Sequence, residues 1–410
     1  MRIFKPISIS LSPNVQKDDV WLVVKILVRF LLHRARSGGY LGKLEQNFRE
    51  YLPAKYALSF NSGRSALYTI LRVFDMKEND EVLLQAFTCN AVPNPVLWAG
   101  GTPVYVDIDE SLNIDPEDLQ KKINNKSRAV IIQHTFGVPA QLDKILEIAR
   151  RHNLIVIEDC AHALGALYNG KLVGTFGDIA FFSFGRDKVI SSVWGGMITT
   201  NSEQWAQKIG DRDNDFPYPS RWWVLKQLLH PVLFSVIIPT YYIFGKYLLA
   251  FLRIVRGVGL AVSQKERMGE RPNMFPARMP EALAELALHQ LNKLEMYNAH
   301  RREIAELYCC KLKSPPKLDG AIYLRFNILR SNAREIIRAA KKKHILLGDW
   351  YKNVIDPVGT NFEKMKYTQG SCPNAERAAR ESINLPTHIN ISRNDARQVI
   401  KFLNEYSGNK

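Results

Sequence analysis

The chain has 410 residues and is 46% hydrophobic, which is enough for a large core and excludes a disordered chain. Its 56 lysines and arginines exceed its 40 aspartates and glutamates, so an anionic partner is expected. No recognition module for nucleic acid accompanies this charge, which leaves a phosphorylated ligand or an acidic lipid. Five cysteines without metal-type spacing and the lack of a secretory signal predict a cytoplasmic protein with free thiols and no metal site.

Residues 18–36 predict a helix with a wide apolar face. Its basic residues form one narrow stripe: Lys25, Arg29, His33 and Arg36. A basic amphipathic helix of this kind can lie on a membrane surface, and it can equally pack against the body of the protein or a partner subunit. The sequence leaves both possibilities open.

Between residues 44 and 200, short apolar runs alternate with amphipathic stretches at the rhythm of an α/β fold with a mainly parallel sheet. The predicted strands are Ala57–Phe60, Glu81–Leu84, Val104–Val106, Ala129–Gln133, Leu154–Ile157, Ile179–Phe182 and Met197–Thr200. The predicted helices are Leu44–Leu52, Ala66–Phe74, Ala91–Ala99, Pro116–Ile123 and Leu142–His152. After the first strand, the small polar turn 61–65 can hold a phosphate group on free backbone N–H groups. An ordinary helix cap at Ser62 or Ser65 is the alternative.

The stretch from 154 to 201 places polar side chains at the ends of neighbouring strands. One strand stops at Glu158 and Asp159, with His162 close behind, and the next leads to Ser183 and then Lys188. Because the carboxyl ends of parallel strands share one edge of the sheet, we expect a cofactor site there. Strand alternation turns Glu158 to the opposite face, so a structural role is expected for it.

Residues 221–256 interrupt this pattern with a hydrophobic stretch that contains five basic and no acidic residues. No formal charge lies between Lys226 and Lys246, but Pro231 and Pro239 break the stretch and aromatic residues flank it. These features favour an interfacial or re-entrant hairpin at a membrane over a straight span. A hydrophobic subunit interface is the alternative.

The last third of the chain predicts a smaller lobe. From Pro280, helical spacing predicts one long helix that ends near Tyr308. The elements predicted beyond it are the strand Ile322–Leu329 and the helices Ala333–Lys343 and Arg393–Tyr406. We therefore expect three parts: an N-terminal segment at 1–36, a large α/β domain at 37–275 with the insertion at about 215–262, and a small C-terminal domain at 276–410.

With these motifs, the chain resembles the DegT/DnrJ/EryC1/StrS family of pyridoxal-phosphate (PLP) aminotransferases from about residue 39 to 406, apart from 221–256. The stretches that carry the resemblance are NSGRSAL, VYVDIDESLNIDP, EDCAHALGA, FFSFGRDK, the glycine pair at 195–196, RMPEALAELALHQL and RESINLPTH. The resemblance implies the PLP-dependent transferase fold type I, which is aspartate aminotransferase-like. This fold has a large, mainly parallel sheet domain and a smaller C-terminal α/β lobe.

The resemblance also implies residue roles. Lys188 matches the lysine that forms the Schiff base with PLP and then moves a proton. Asp159 matches the carboxylate that keeps the pyridine nitrogen protonated, and His162 matches a position against the ring or its 3′-oxygen. Ser183 matches the serine that binds the cofactor phosphate, together with Ser62 and Gly63.

Several residues depart from the family pattern. Arg64 stands where the family usually has threonine, and either a phosphate contact or exposure to solvent is compatible with it. An aromatic residue of the family that covers the PLP ring is replaced by Cys89, which makes Phe87 the candidate stacking residue. Trp194 replaces a glutamate before the glycine pair, and Pro276 replaces an asparagine that reaches the neighbouring subunit's cofactor.

The function implied is transfer of an amino group, from glutamate or a similar donor, to a nucleotide-linked keto-sugar in glycan or cell-surface polysaccharide biosynthesis. A homodimer is expected from the family, and residues 20–36 and 221–256 are the expected contacts with the inner face of the membrane. A sugar dehydratase of the same family would carry histidine in place of Lys188. A non-catalytic, PLP-binding membrane-peripheral or regulatory protein is the alternative from another class.

Overall fold

The computed structural model describes residues 5–32, 39–255, 257–312 and 318–408. The strands are β1 Ile7–Ser8, β2 Tyr56–Phe60, β3 Glu81–Gln85, β4 Thr88–Cys89, β5 Thr102–Val106, β6 Ser127–Gln133, β7 Ile155–Asp159, β8 Leu167–Tyr168, β9 Lys171–Leu172, β10 Ile179–Ser183, β11 Gly196–Thr200, β12 Phe326–Leu329, β13 Ile345–Leu346, β14 Ile355–Asp356 and β15 Ser382–Leu385. The helices are α1 Lys17–Leu31, α2 Tyr40–Tyr51, α3 Gly63–Val73, α4 Pro93–Trp98, α5 Pro116–Lys122, α6 Leu142–Arg151, α7 Glu203–Asn214, α8 Arg221–Ile237, α9 Lys246–Ile254, α10 Gln264–Arg267, α11 Glu281–Leu291, α12 Leu294–Leu312, α13 Ala333–Lys342, α14 Pro373–Glu381 and α15 Arg393–Gly408.

The large domain is built on a seven-stranded sheet with the order β2-β11-β10-β7-β6-β3-β5. The pairs from β10 to β5 are parallel, and β11 is antiparallel to both β10 and β2. The seven strands predicted for this domain are all present, with ends shifted by two residues or fewer. The predicted mainly parallel sheet is thus confirmed.

The register of three strands brings the polar strand ends together. In the sheet, Asp159 of β7 lies opposite Phe181 of β10, so both strands end at the same edge. Because β11 runs the other way, it begins where β10 and β2 end: Gly196 pairs with both Ser183 and Phe60. The turn between β2 and α3 therefore lies at this same edge.

The C-terminal lobe contains the antiparallel pair β12 and β15, covered by α12, α13 and α15. Its predicted strand at 322–329 is shorter than expected and begins only at Phe326. The prediction of one unbroken helix from residue 280 to 308 is wrong. The chain ends α11 at Leu291 and begins α12 at Leu294, and at this break the Lys293 ammonium group donates to the carboxylates of Asp18 and Asp19.

The N-terminal segment contacts both lobes. Strand β1 pairs in parallel with β13 of the C-terminal lobe, and α1 packs against α8 and α11. In the predicted basic stripe, Arg29 is ion-paired with Glu285 of α11 at 2.5 Å, while His33 and Arg36 lie outside the described residues. One side of α1 is thus buried against the protein, and Trp21 on another side is 68% exposed.

The insertion folds as α8, a π-helical turn at Tyr241–Gly245, and α9. It has a small core of its own around Phe234, Ile237 and Leu249. Among the described residues, no single helix has the length and apolar composition needed to cross a membrane. The two halves of the insertion meet these criteria only together, as a pair bent by 108°.

Candidate active site

A cavity of about 350 Å³ lies at the sheet edge where β7, β10 and β11 meet the start of α3. Residues of the C-terminal lobe close it from the other side. The sequence-predicted site residues that line it are Ser62, Gly63, Arg64, Asp159, His162, Ser183 and Lys188. The structure thus gathers into one wall residues that are more than a hundred positions apart in the chain.

Lys188 lies in the loop that follows β10. Burial lowers the pKa of its ammonium group to about 8, although the carboxylate of Asp159 acts in the opposite direction. The backbone of this loop is held from the N-terminal segment, because the Asn14 amide donates to the carbonyl oxygens of Lys188 (2.7 Å) and Val189 (3.0 Å). The buried Arg301 guanidinium supports Asn14 in turn through a 2.9 Å hydrogen bond. Asn14 is a positioning residue that the sequence reasoning missed.

Asp159 ends β7 and faces the cavity, with one carboxylate oxygen accepting the N–H of Ala161 at 3.0 Å. Burial raises the pKa of this carboxyl group, and the nearby Lys188 opposes that effect. Its neighbour Glu158 points away, as strand alternation predicts. The Glu158 carboxylate accepts N–H groups of Gly174, Phe176 and Gly177, which fixes the loop after β9 and gives it a structural role.

The start of α3 and the end of β10 form a cradle of hydrogen-bond donors. The Ser62 hydroxyl oxygen caps α3 by accepting the Ser65 N–H at 3.2 Å. A Cβ atom on Gly63 would lie 3.1 Å from the Ser183 Cβ, so glycine at this position lets the helix start approach Ser183. A Cβ on Gly196 would lie 2.4 Å from the backbone of Ser62, so only a glycine at position 196 lets β11 pass this close to the turn.

Arg64 turns away from the cradle. Its Nε lies 2.9 Å from a carboxylate oxygen of Glu266, and its Nη2 donates to the carbonyl of Ala261 at 2.6 Å. The guanidinium also lies 5.3 Å from the ring centres of both Trp194 and Phe275. The structure therefore ties Arg64 to residues at the end of the insertion and just after it, which contradicts the reading of an arginine exposed to solvent, while the phosphate contact stays a prediction.

His162 forms part of an aromatic stack in the cavity wall. Its ring lies nearly parallel to those of Phe136 and Tyr351, at centroid distances of 5.8 and 6.5 Å. Its Nδ1 accepts the N–H of Phe136 at 3.4 Å, and burial holds its pKa well below the usual range. His162 is thus a neutral imidazole with a flat face at the cavity.

Phe87 does not line the cavity, so its prediction as the stacking residue is corrected. Strand β3 ends at Gln85, and Phe87 then adopts a left-handed backbone conformation with φ of 61°. This turn directs its ring into the core, where it meets Phe136 and Tyr351 edge-on. Cys89 lines the cavity instead, and burial raises the pKa of its thiol.

The C-terminal lobe contributes residues that sequence reasoning missed: Arg325, Trp350, Tyr351 and Asp356. Burial raises the pKa of the Asp356 carboxyl group to about 6. A short parallel pairing of β14 with β4 brings this lobe to the cavity, since Ile355 pairs with Thr88 and Asp356 with Cys89. Both strands are two residues long, too short to give a periodic pattern.

Solved structures with this architecture are PLP-dependent transferases of fold type I. PseC of Helicobacter pylori, an aminotransferase involved in the biosynthesis of pseudoaminic acid, aligns over 98% of this chain and 99% of its own, with a TM-score of 0.75 and 23% identity. The pyridoxamine-phosphate form of the putative sugar aminotransferase Spr1654 from Streptococcus pneumoniae aligns over 99% of both chains, with a TM-score of 0.75 and 20% identity. The predicted fold class is confirmed.

The sequence profile of the DegT/DnrJ/EryC1/StrS aminotransferase family matches residues 31–404. The chain belongs to this PLP-dependent family, which confirms the predicted class of enzyme. GDP-perosamine synthase of Escherichia coli O157:H7 is 30% identical over 388 residues, which cover 91% of this chain and 92% of that protein.

Proposed function

We propose that this protein is a PLP-dependent aminotransferase that transfers an amino group from glutamate or a similar amino acid to a nucleotide-linked keto-sugar. The observation that carries the proposal is the convergence of Lys188, Asp159 and the Ser62–Ser183 cradle on one cavity. The resemblance to a GDP-sugar enzyme over nine-tenths of both chains supports the substrate class, with cell-surface polysaccharide biosynthesis as its setting.

Each residue has a defined task in this proposal. PLP, when bound, supplies an electron-accepting ring. The hydroxyl groups of Ser62 and Ser183 and the first N–H groups of α3 would bind its phosphate, with the positive end of the helix dipole behind them. Asp159 would hold a proton on the ring nitrogen, and the flat His162 imidazole would pack against the ring. Lys188 would bind the cofactor and move the proton between donor carbon and cofactor, a task that its lowered pKa suits.

The two half-reactions balance. The donor loses its amine and becomes a 2-oxo acid, while the carbonyl carbon of the keto-sugar gains the amine. PLP held by Ser62, Ser183 and Asp159 would supply the group that takes up the amine in the first half-reaction and gives it up in the second. The set of Lys188, Asp159 and Ser183 opposes the non-catalytic alternative, and the lysine itself opposes the dehydratase.

The purified full-length protein tests this function. We expect a visible absorbance from PLP bound through Lys188, its abolition by borohydride reduction, and its loss on addition of glutamate. Lys188→Ala is expected to lose the borohydride-sensitive absorbance and to slow amine transfer about 10³-fold or more, whereas Lys171→Ala, which changes an exposed residue of β9, leaves both unchanged. Wild-type protein that takes up no PLP would contradict the proposal.

We also propose that α1 and the insertion form a docking surface for an anionic bilayer at the inner face of the cytoplasmic membrane. Large apolar side chains on these elements are exposed: Trp21, Val28, Leu31, Leu32, Trp222, Val236, Ile243, Phe244, Tyr247, Phe251 and Ile254. Lys226 and Lys246 lie over the rings of Trp222 and Tyr247, which places positive charge at the rim of the apolar surface. Aromatic and basic residues around an apolar face are typical of interfacial anchors.

Vesicle flotation tests this surface. The full-length protein is expected to float with vesicles that contain phosphatidylglycerol and to remain below with pure phosphatidylcholine. The double variant Trp222→Ser/Phe251→Ser should lose flotation, while Val358→Ser, which changes an equally exposed apolar residue elsewhere, should not. If the double variant instead dissociates a dimer in sedimentation and wild type never floats, the surface is a subunit interface. The homodimer expected from the family is measured in the same sedimentation runs.

A further inference from the structure

Arg325 is a buried arginine in the wall of the active-site cavity. It lies immediately before β12 in the C-terminal lobe and is 6% exposed. Its guanidinium lies over the indole of Trp350, 3.7 Å from the ring centre, and 6.0 Å from the ring centre of Phe136. These flat contacts hold the group in place and leave the N–H donors at its edge available.

No carboxylate in the described part of the chain lies within ion-pair distance of the Arg325 guanidinium, although the carboxylates of Asp187 and Asp356 are near enough to act on its charge. Its contacts there are the two aromatic rings, and no hydrogen bond or ion pair joins it to another described residue. Other arginines of the same wall differ: Arg64 pairs with Glu266, and Arg186 donates to the carbonyl of Gly259 at 2.5 Å. A buried guanidinium whose N–H donors have no hydrogen-bond partner is costly, so this cation in the cavity wall is poised for an anionic ligand.

We propose that Arg325 binds the α-carboxylate of the amino donor. This assignment rests on the proposed aminotransferase function and adds the residue that recognises the donor. A guanidinium and a carboxylate match in plane and spacing and form two parallel hydrogen bonds, which is a selective way to recognise an amino acid. The donor class is therefore an α-amino acid and not a simple amine.

The position of Arg325 favours the donor carboxylate over the phosphates of a nucleotide-linked sugar. Arg325 lies 6.0 Å from the ring centre of Phe136, and that ring stacks beside the His162 imidazole, so Arg325 lies on the side of the cavity that holds His162. In an amino acid the carboxylate is attached to the same carbon as the reacting amine. In a nucleotide-linked hexose the phosphate is attached through the anomeric carbon and not to the carbon that gains the amine, and the cofactor phosphate already has the Ser62–Ser183 cradle.

The test uses two amines that differ only in this group: L-glutamate and 4-aminobutanoate, which is glutamate without its α-carboxylate. Single-turnover amination of the PLP-loaded enzyme is followed by absorbance. We expect Arg325→Gln to slow the reaction with glutamate about 100-fold and to leave the reaction with 4-aminobutanoate unchanged. Arg325→Lys should restore part of the loss. Arg330→Gln, an exposed arginine beyond the same strand, serves as the matched control.

A second readout does not depend on turnover. Glutarate keeps both carboxylates of glutamate but lacks the amine, and calorimetry should show about 10-fold or more weaker binding to Arg325→Gln than to wild type. Thermal unfolding shows whether the variant folds. Equal slowing with both amines, or a loss confined to the keto-sugar half-reaction, would overturn the donor assignment. An Arg325→Gln variant that reacts like wild type would also overturn the donor assignment, and the proposed function would then stand. Wild-type protein that takes up no PLP would overturn both the donor assignment and the proposed function.

Discussion

The sheet edge and the insertion place their apolar residues in opposite ways. In β7, β10 and β11 almost every residue is buried, and the strand register fixes which side chains reach the cavity. In the insertion, three residues form a small core, while most large side chains of α9 face outward. In the sheet, backbone hydrogen bonds between strands determine where each side chain lies. In the insertion, separate contacts between side chains determine it.

Those separate contacts can be named. The Ser12 hydroxyl lies 3.1 Å from Nδ1 of the buried His230 in α8. Tyr242 stacks on His344 of the C-terminal lobe with ring centres 3.9 Å apart. At the end of the insertion, the segment that contains Gly259 and Ala261 is held by Arg186 and Arg64. Together with the packing of α8 on α1 and α11, these side-chain contacts attach the insertion to the rest of the protein without a continuous sheet.

The largest expected effect breaks the sheet edge itself. In Gly196→Ala, the new Cβ would lie 2.4 Å from the backbone of Ser62, so the turn must move away from Ser183. We expect the free energy of unfolding to fall by about 1–3 kcal/mol or more and the affinity for PLP to fall about 10-fold or more. Gly210→Ala, where the nearest atom is 4.0 Å away, is the control. Chemical denaturation measures the free energy of unfolding, and PLP titration measures the affinity. If Gly196→Ala binds PLP as tightly as wild type, the Ser62–Ser183 cradle does not bind the cofactor phosphate.

A smaller effect is expected from the electrostatics of the same sheet edge, at Lys188. Burial lowers the pKa of Lys188 to about 8, so the reactive neutral amine should accumulate as the pH rises through about 8, and not only near the usual range of lysine. The rate at which the apoprotein reacts with PLP should follow this midpoint in stopped-flow absorbance. Because the Asp159 carboxylate raises the pKa of Lys188, Asp159→Asn should move the midpoint lower. A midpoint that stays near 10 would contradict the burial argument.

The smallest effect concerns the attachment of the insertion. Ser12→Ala leaves Nδ1 of His230 without a partner, and we expect a loss of about 1 kcal/mol in the free energy of unfolding. Ser235→Ala removes a hydroxyl that forms a hydrogen bond within α8 on its exposed side. We therefore expect the free energy of unfolding to change by only about a few tenths of a kcal/mol. Urea denaturation compares the two. Equal effects would mean that the N-terminal segment does not hold the insertion.

The sequence predicted the parts of the site that follow from strand periodicity. Asp159 and Ser183 end apolar runs that could not be helices at their length, and parallel pairing then brings their ends together. Lys188 added no periodic signal and was found through the family motif. The prediction for Phe87 is wrong because the backbone leaves the strand after Gln85 and becomes left-handed at Phe87, which no sequence pattern shows.

Other parts depend on contacts between distant segments, which leave no local pattern. Arg325 and Trp350 reach the cavity only through the packing of the C-terminal lobe, and Asn14 reaches the lysine loop from the other end of the chain. The break between α11 and α12 lies where Lys293 meets two carboxylates of α1, so helical spacing alone could not reveal it. The exposure of α9 could not be predicted either, because an apolar run in the sequence does not show whether other residues cover it.

The position of Asn14 has a consequence for synthesis on the ribosome. The N-terminal segment is synthesised before its partner strand, because β1 pairs with Ile345 and Leu346, which lie far later in the chain. Until then Asn14 has no fixed framework from which to hold the backbone of the lysine loop. The growing chain must therefore carry an unsupported Lys188 loop until β13 has been made, and an incompletely covered apolar face of α1 until α8 and α11 have been made; chaperone binding is expected in this period.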